Sequence, residues 1–427
     1  MLIQDWKSLL ASMRYFLKLI FIGKEYDVVF VSSSAFNREK NGENLFFKPM
    51  IECCKKNGLS YIVFEDTSFR SFVDYKINKN SISFDFISLI QIIFRKIYHL
   101  RNKGFETSDK VYFRELKISN IIKKLFFKKF HSKVYITLIW NNVTLWRCIN
   151  PNSCVVDYQH AFIYDGEEYY MKDGRPPRLK SDNNVVALVH GDWYKKLLID
   201  ADRSGFYNKN NVITVGLNKA SNPSQKKSFN NKKILFTLQL TPDFLDKKVN
   251  KRYVKIVKKI IDINAEFLSK NNYEIIFKHH PRYNTHDCPD IHIEHDFVRF
   301  ESKKPLLDLL NSVSLHMTLH SSSTFDAASL SIPTIFIDML EEISPNEMFM
   351  NQYEYPLKDL VIKDYNDLRK ILIQVDNNAA YKDCCDDVHQ WSKDFYYDFD
   401  ETVFQNFLLD QISKHKHQNG DELHQNK

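Results

Sequence analysis

The sequence predicts an α/β protein built as two domains in tandem, and three observations predict it. Apolar runs of strand length alternate with helical stretches, as in "YDVVFVSSS", "LSYIVFEDTS", "KVYITLIW" and "NVVALVHGDW", and such alternation argues a parallel sheet wrapped by helices. The alternation breaks once, in "LNKASNPSQKKSFNNKK", where apolar periodicity gives way to Asn, Ser, Pro and Lys, the composition of a linker. The 427 residues also exceed what one hydrophobic core usually organises. The expected organisation is an N-terminal domain over 1–217, a linker over 218–231, a C-terminal domain over 232–412 and a disordered polar tail over 413–427.

In chain order, residues 1–22 read as a basic amphipathic helix, followed by the strand "YDVVFVSSS", a helix over 44–56 and the strand "LSYIVFEDTS". Two helical stretches, "FDFISLIQIIFRKIYHLRNK" and "ISNIIKKLFFKKFHSK", each carry one apolar and one basic face. Faces of this kind rest on an anionic membrane surface or cover a sheet while showing lysines to water, and the pattern alone permits both. From residue 133 the strand–helix alternation resumes and runs to "NNVITVGLN". The second domain starts at "ILFTLQ", passes a helix over 251–270 to the strand "YEIIFKHHPR", and continues through "VSLHMTLHSSSTFDAASLSIPTIFID" to a short "DLVI" strand. A last helical stretch, "VHQWSKDFYYDFDETVFQNFLLDQISK", closes it.

A formal charge of +7 permits an anionic substrate or a lipid surface and falls short of a nucleic-acid-binding signature. The seven cysteines form no C-x-x-C and no disulfide framework, which suits a reducing cytoplasm. No stretch supplies the roughly 20 apolar residues of a membrane span. Neither G-x-G-x-x-G nor G-x-x-x-x-G-K-[ST] occurs, which removes the dinucleotide fingerprint and the P-loop. G-x-S-x-G is absent too, as are H-E-x-x-H and a D-x-D between apolar strand residues, so neither a serine hydrolase nor a resident metal is expected. Phosphate charge would then be handled by histidine, arginine, hydroxyls and a helix end.

Three groups carry chemistry. In the first, the strand "YEIIFKHHPR" ends in Lys278, His279, His280, Pro281 and Arg282. Proline restricts the residue before it to extended geometry, so His280 has a fixed direction; adjacent strand residues face opposite ways, and His280 is the one expected in the site. Exposed loop histidines before a turn would look the same. The second is His320 with Ser321, Ser322, Ser323 and Thr324, a hydroxyl-rich turn between a strand and a helix, suited to phosphate but equally the composition of an N-cap. The two groups are about one βαβ unit apart, which brings them to the same edge of a parallel sheet. The third is "DYQHAFIYDGEEYY", where Asp157, His160, Asp165, Glu167 and Glu168 surround a strand end. This loop offers a carboxylate or imidazole to take a proton from an acceptor hydroxyl, or it is simply a solvated acidic loop. Glu65 and Asp66 of "FEDTS" are a rival pair. Tandem α/β domains place a ligand cleft at the carboxyl ends of their strands.

"FKHHPR" followed by "HSSSTFDAASLSIPTIFID" resembles the HP and serine-pair motifs of GT-B glycosyltransferases of bacterial capsule and lipopolysaccharide synthesis, with bacterial sialyl-, polysialyl- and Kdo transferases among them and teichoic-acid glycerophosphotransferases more distant. "DYQHAFIYDGEEYY" is similar to the Q-H-G loop of that group, and the likeness spans roughly residues 133–340. The resemblance implies a GT-B fold of two Rossmann-like domains facing a central cleft. It implies a nucleotide-sugar donor, often cytidine-linked, with His280, Ser322 and Ser323 at its phosphate and ribose, and a base among His160 and Asp165. It implies a lipid-linked or polysaccharide acceptor, inverting chemistry without metal or other cofactor, and a cytoplasmic enzyme with peripheral contact to the inner membrane. A CDP-polyol phosphotransferase and a non-catalytic assembly protein are the competing expectations. The sequence departs from the group at Ala161 and Ser331, where glycine is usual, and at Tyr164, where sialyltransferases carry a second acid.

Overall fold

The computed structural model describes residues 6–425 apart from 38–41, 68–75, 102–106, 139–141, 218–228, 230, 242–245, 282, 284–287 and 302–303. The chain forms two compact units: Met1–Asn218 with Tyr397–Lys427, and Lys219–Tyr396. Each is an all-parallel sheet wrapped by helices.

The first unit begins with α1 (Trp6–Phe21), β1 (Lys24–Ser33), α2 (Lys48–Lys56), β2 (Tyr61–Asp66), β3 (Ile82–Ser83), α3 (Asp85–Arg101), α4 (Ser108–Phe126) and β4 (Phe130–Leu138). It continues through α5 (Val143–Ile149), β5 (Cys154–Tyr158), α6 (Arg178–Ser181), β6 (Val186–Val189), α7 (Asp192–Ala201) and β7 (Val212–Thr214). The strand order is β3-β2-β1-β4-β5-β6-β7, the Rossmann order with one strand added. Side chains alternate across β1: Val29 and Val31 join Phe16 of α1, Phe84 just before α3, Ile122 of α4 and Trp146 of α5, while Phe30 meets Phe47, the N-cap residue of α2, at 5.0 Å on the other face. Each such fully buried ring contributes about 1.5–3 kcal/mol.

The second unit contains β8 (Lys233–Leu238), α8 (Lys247–Lys270), β9 (Glu274–His279), β10 (Val298–Phe300), α9 (Leu306–Leu310) and β11 (Leu315–Thr318). Then follow α10 (Ser323–Ser329), β12 (Thr334–Ile337), a π-helical turn over Asn346–Gln352, β13 (Val361–Ile362), α11 (Asp367–Val375) and α12 (Asn378–Ser392). Its order, β10-β9-β8-β11-β12-β13, is the six-stranded Rossmann order. Ile234, Phe236 and Leu238 of β8 pack on the α8 side, and Leu235 packs against Leu309, Ala327 and Ile332 on the other.

Two expectations are corrected. The stretch from Val388 to Lys414 is not one helix, and its second half does not belong to the second unit. Residues 397–400 run beside β7: Leu217 N–H donates to Tyr397 O at 2.9 Å and Phe399 N–H to Leu217 O at 3.1 Å. Gly216 makes this crossing possible, with φ +76° and a Cβ position that would lie 2.2 Å from Asp398 O. Beyond it α13 (Glu401–Gln425) returns to the first unit, burying Phe404, Leu408 and Ile412 at helical spacing and bonding Gln405 to Asn57 at 2.8 Å. The tail expected to be disordered from 413 continues this helix as far as Gln425, because a helix already docked propagates at little cost and Lys414 pairs with Asp410 one turn back. Most of the expected linker lies outside the described residues, but Phe229 within it is a core residue of the second unit, 5.0 Å from Tyr381.

Candidate functional site

Ligands of open α/β sheets bind beyond the carboxyl ends of the strands, at the point where the strand order reverses. In the second unit that point lies between β8 and β11, with β9 on the far side of β8. Leu238 pairs with His279 and Thr237 with Thr318. Continued past the last pairs, the registers set His280, Gln239 and His320 in one row across the three strand ends. Gln239 closes that row from within, its Oε1 accepting the backbone N–H of His320.

Beneath the row is a buried hydroxyl–imidazole network. Thr237 Oγ1 lies 2.8 Å from His316 Nε2 and 3.1 Å from Ser323 Oγ, and His316 Nδ1 lies 3.0 Å from Thr334 Oγ1. Both ring nitrogens of His316 are engaged, and burial lowers its pKa to about 3, so the ring is neutral. Ser321 Oγ accepts from Ser323 Oγ at 2.8 Å and from Ser323 N–H at 3.2 Å. Ser322 occupies the N-cap position of α10 without a side-chain capping bond, so its half-buried hydroxyl is not committed to the helix it starts. Thr324 and, just after β8, Thr241 are buried with hydroxyls that have no hydrogen-bond partner among the described residues.

The histidine group sits at the neighbouring strand end. His279 is stacked on Tyr283 at 3.8 Å and lies 5.7 Å from Phe300, which makes it a packing residue, and burial lowers its pKa to about 4. His280 follows the strand, half-buried, and its carbonyl accepts from Tyr283 N–H at 2.8 Å across the turn at Pro281. Lys278 Nζ donates to Lys304 O at 2.6 Å. His320 is buried, edge-on to Phe349 at 5.7 Å, with its pKa lowered by burial to about 4. Desolvation keeps both His279 and His320 neutral, so neither supplies positive charge to a phosphate. Arg282 lies outside the described residues.

In the first unit, Gln159 follows β5 fully buried. Its Oε1 accepts the backbone N–H of His190 at 2.8 Å and its Nε2 donates to Ala161 O at 2.7 Å. The loop is thereby fixed without glycine, for Ala161 is not among the residues with positive φ. His160 meets Phe36 at 5.6 Å, in the turn after β1, and Phe46 joins Phe36 at 5.6 Å and His190 at 6.3 Å. His190 is fully buried and held neutral, its pKa lowered to about 3 by desolvation.

The acids of this unit fall into two kinds. Asp157 is buried in an ion pair with Lys180, whose ammonium lies 3.5 Å from the centre of the Tyr170 ring, so it is structural. Glu65 is also buried and accepts from Asn37 at 2.8 Å, Asn78 N–H at 2.9 Å and Ser81 at 2.9 Å, which ties the loops after β1 and β2 together and occupies it as an acceptor. Asp165 is exposed in a turn with Gly166 at φ +84°. Glu167 is half-buried beside Tyr164, and desolvation raises its pKa. Among the described residues no group of three His, Cys, Asp or Glu side chains could hold a metal ion, and no helix is long and apolar enough to cross a membrane.

Sequence reasoning missed Gln239 and His316. The signals were a polar residue ending an otherwise apolar "ILFTLQ", and a histidine between apolar residues in "VSLHMTLH".

The sequence matches no protein-family model and no curated protein. Among solved structures it is similar to the UDP co-structure of S. aureus MnaA, at 12% identity over 90% of this chain and 94% of that one, TM-score 0.49. It is similar to the glycosyltransferase SnogD of Streptomyces nogalater, at 9% identity over 92% and 100%, TM-score 0.49. It is also similar to UDP-GlcNAc 2-epimerase of Methanocaldococcus jannaschii in complex with UDP-GlcNAc and UDP, at 14% identity over 83% and 93%, TM-score 0.48. The strand orders themselves define the class: two Rossmann-like α/β domains in tandem, the domain content of the GT-B fold.

Proposed function

We propose that the protein is a glycosyltransferase that moves a sugar from a nucleotide-activated donor, cytidine-linked by preference, to a lipid-linked or polysaccharide acceptor. The observation that carries this reading is the row His280, Gln239, His320 at the strand-order reversal of the second unit, with Ser321, Ser322 and Thr324 beside it. It is a set of imidazole, amide and hydroxyl groups at the place where such sheets take phosphate-bearing ligands. The competing reading of a non-catalytic assembly protein gives no reason for buried Thr241 and Thr324 hydroxyls to lack partners among the described residues, since buried polar groups normally have them.

In the reaction an acceptor hydroxyl attacks the anomeric carbon, the bond from that carbon to the leaving phosphate oxygen breaks, and the hydroxyl proton goes to a base. The second unit holds the nucleotide phosphate and ribose. The first unit supplies the base from His160, Asp165 and Glu167. Glu167 is favoured, because partial burial raises its proton affinity towards what a general base needs.

Titration calorimetry with CMP, CDP, UDP and GDP tests the reading. Binding of a cytidine nucleotide is expected, weakened about ten- to a hundredfold by His280→Ala, the range for losing hydrogen bonds to a charged group. Absence of binding by all four, or wild-type affinity in the variant, would sink the assignment. Phosphate retained in the product linkage would move the protein to the polyol phosphotransferases.

A further inference from the structure

The chemistry-bearing strand ends leave one prominent surface of the first unit unused. Helices α1, α3 and α4 pack side by side on one face of its sheet, sending Phe16, Ile87 and Ile122 inward. What they send outward is unusual for a helix layer facing water. Among the described residues, eleven of the sixteen exposed large hydrophobic side chains lie on these three helices or directly after α1.

The outward residues form stripes. On α1, Trp6 (64% exposed), Leu10, Leu17 and Phe21 (76%) recur at helical spacing on one side. Lys7, Arg14 and Lys18 run alongside. On α3, Ile93, Ile97 and Leu100 (78%) repeat the pattern next to Lys96. On α4, Phe113, Ile121 and Leu125 are interleaved with Lys110, Lys117 and Lys124. Against these seven exposed cations the described residues of the three helices expose one acid, Asp109, which is paired with Arg178 at 3.0 Å. By contrast α8, the most lysine-rich helix of the second unit, exposes one large hydrophobic residue, Ile263.

We infer that the outer face of α1, α3 and α4 docks on an anionic lipid surface, with the aromatic and aliphatic stripes entering the headgroup boundary and the lysines lying against lipid phosphates. Tryptophan, phenylalanine and leucine beside lysine are the residues that hold an amphipathic helix in the interfacial plane, and basic side chains at that depth add attraction to anionic lipid. An isolated exposed hydrophobic residue needs no explanation, but a contiguous patch across three helices does. A second copy of this chain is the poorer occupant, because a self-complementary contact would set these cations against one another. The inference stands without the transferase reading.

Flotation of the full chain with vesicles tests it. Binding is expected to phosphatidylcholine vesicles containing phosphatidylglycerol, falling as salt rises and absent on phosphatidylcholine alone. Leu17→Glu with Phe21→Glu, both at exposed positions, should weaken binding at least about tenfold. Arg14→Glu with Lys18→Glu gives an independent variant that leaves the apolar stripe intact and should show the same loss. Ile263→Glu on α8 should change nothing. Failure of the wild type to float with anionic vesicles overturns the inference, as does undiminished flotation of both double variants. A wild-type dimer that the double variants split would give the face to a second copy instead.

Discussion

Each unit fastens two strand ends with the same device, a glutamine whose side-chain oxygen takes the backbone N–H of a histidine on the next strand. In the first unit Gln159 clips His190 across β5 and β6; in the second Gln239 clips His320 across β8 and β11. The surroundings differ. The second clip spans the reversal of strand order and has hydroxyls above and below it, while the first lies away from its unit's reversal point, among the rings of Phe46 and Tyr158. One clip borders a polar, hydroxyl-rich surface, and the other stiffens the loop that carries His160, Asp165 and Glu167. Under the proposed function, the same local chemistry borders the nucleotide site in one unit and positions candidate proton acceptors in the other.

The largest expected effect separates those two roles. Glu167→Gln keeps the loop's shape and removes its raised carboxylate, so turnover should fall roughly a hundred- to ten-thousandfold while nucleotide affinity in the second unit stays at the wild-type value. Asp165→Asn, at an exposed position, should cost far less. Product formation and calorimetry on the same preparations check this, and a larger loss for Asp165→Asn would move the base to that residue. The raised pKa of Glu167 also fixes the direction of the pH profile: activity should fall on the acid side, starting above the pH where an ordinary glutamate protonates.

Next in size is the buried ion pair beneath that loop. Lys180→Met leaves Asp157 charged in the interior without its cation, which costs about 3–5 kcal/mol, whereas Lys180→Met with Asp157→Asn should recover most of it. Urea denaturation of both variants reads the difference directly. Equal loss in the single and double variants would show that Lys180 contributes packing against Tyr170 rather than charge.

Much of the fold was legible in the sequence because parallel strands buried on both faces leave continuous apolar runs: β9 falls within a stretch read as a strand, and β1, β4 and β8 overlap such stretches while starting one to three residues before them. Burial decided what could not be read. Asp157 and Glu65 look like candidate bases in the sequence, and only the surrounding Lys180, Asn37, Asn78 and Ser81 show that both are structural. The proline after it singles out His280 in the sequence, and the rings of Tyr283 and Phe300 are what show its neighbour His279 to be a packing residue. The return of α13 escaped because its partners, Asn57 and Lys56, lie more than three hundred residues earlier in the chain.

The two fully buried histidines, one in each unit, make a smaller and sharper test. Each has its pKa lowered from about 6.5 to about 3. Between those values the unfolded chain binds a proton that the folded protein does not, so stability is fully present above pH 6.5 and falls as pH drops, by about 1.4 kcal/mol per pH unit for each ring. His190→Phe, within an aromatic cage, should remove one proton from that slope at little cost at neutral pH. His316→Phe removes a proton as well, but also removes the imidazole that bonds the hydroxyls of Thr237 and Thr334, at about 1–3 kcal/mol at every pH. Urea midpoints at neutral and mildly acid pH distinguish the two, and an unchanged acid slope in His190→Phe would mean that this ring titrates normally.

The smallest expected effect concerns a departure from the resembled motif. Ser331 follows the C-cap of α10 with φ +59°, the left-handed conformation in which glycine usually ends a helix. A residue with a Cβ is strained there by about 1–2 kcal/mol, and glycine would relieve this while losing about 0.5–1 kcal/mol to its greater freedom in the unfolded chain. Ser331→Gly should therefore stabilise the second unit by a few tenths to about 1 kcal/mol, raising its urea midpoint without altering nucleotide affinity. Its hydroxyl lies at the far end of α10 from Ser321 and Ser323, so any loss of nucleotide binding in this variant would show that the turn before Pro333 sets the position of the serine group.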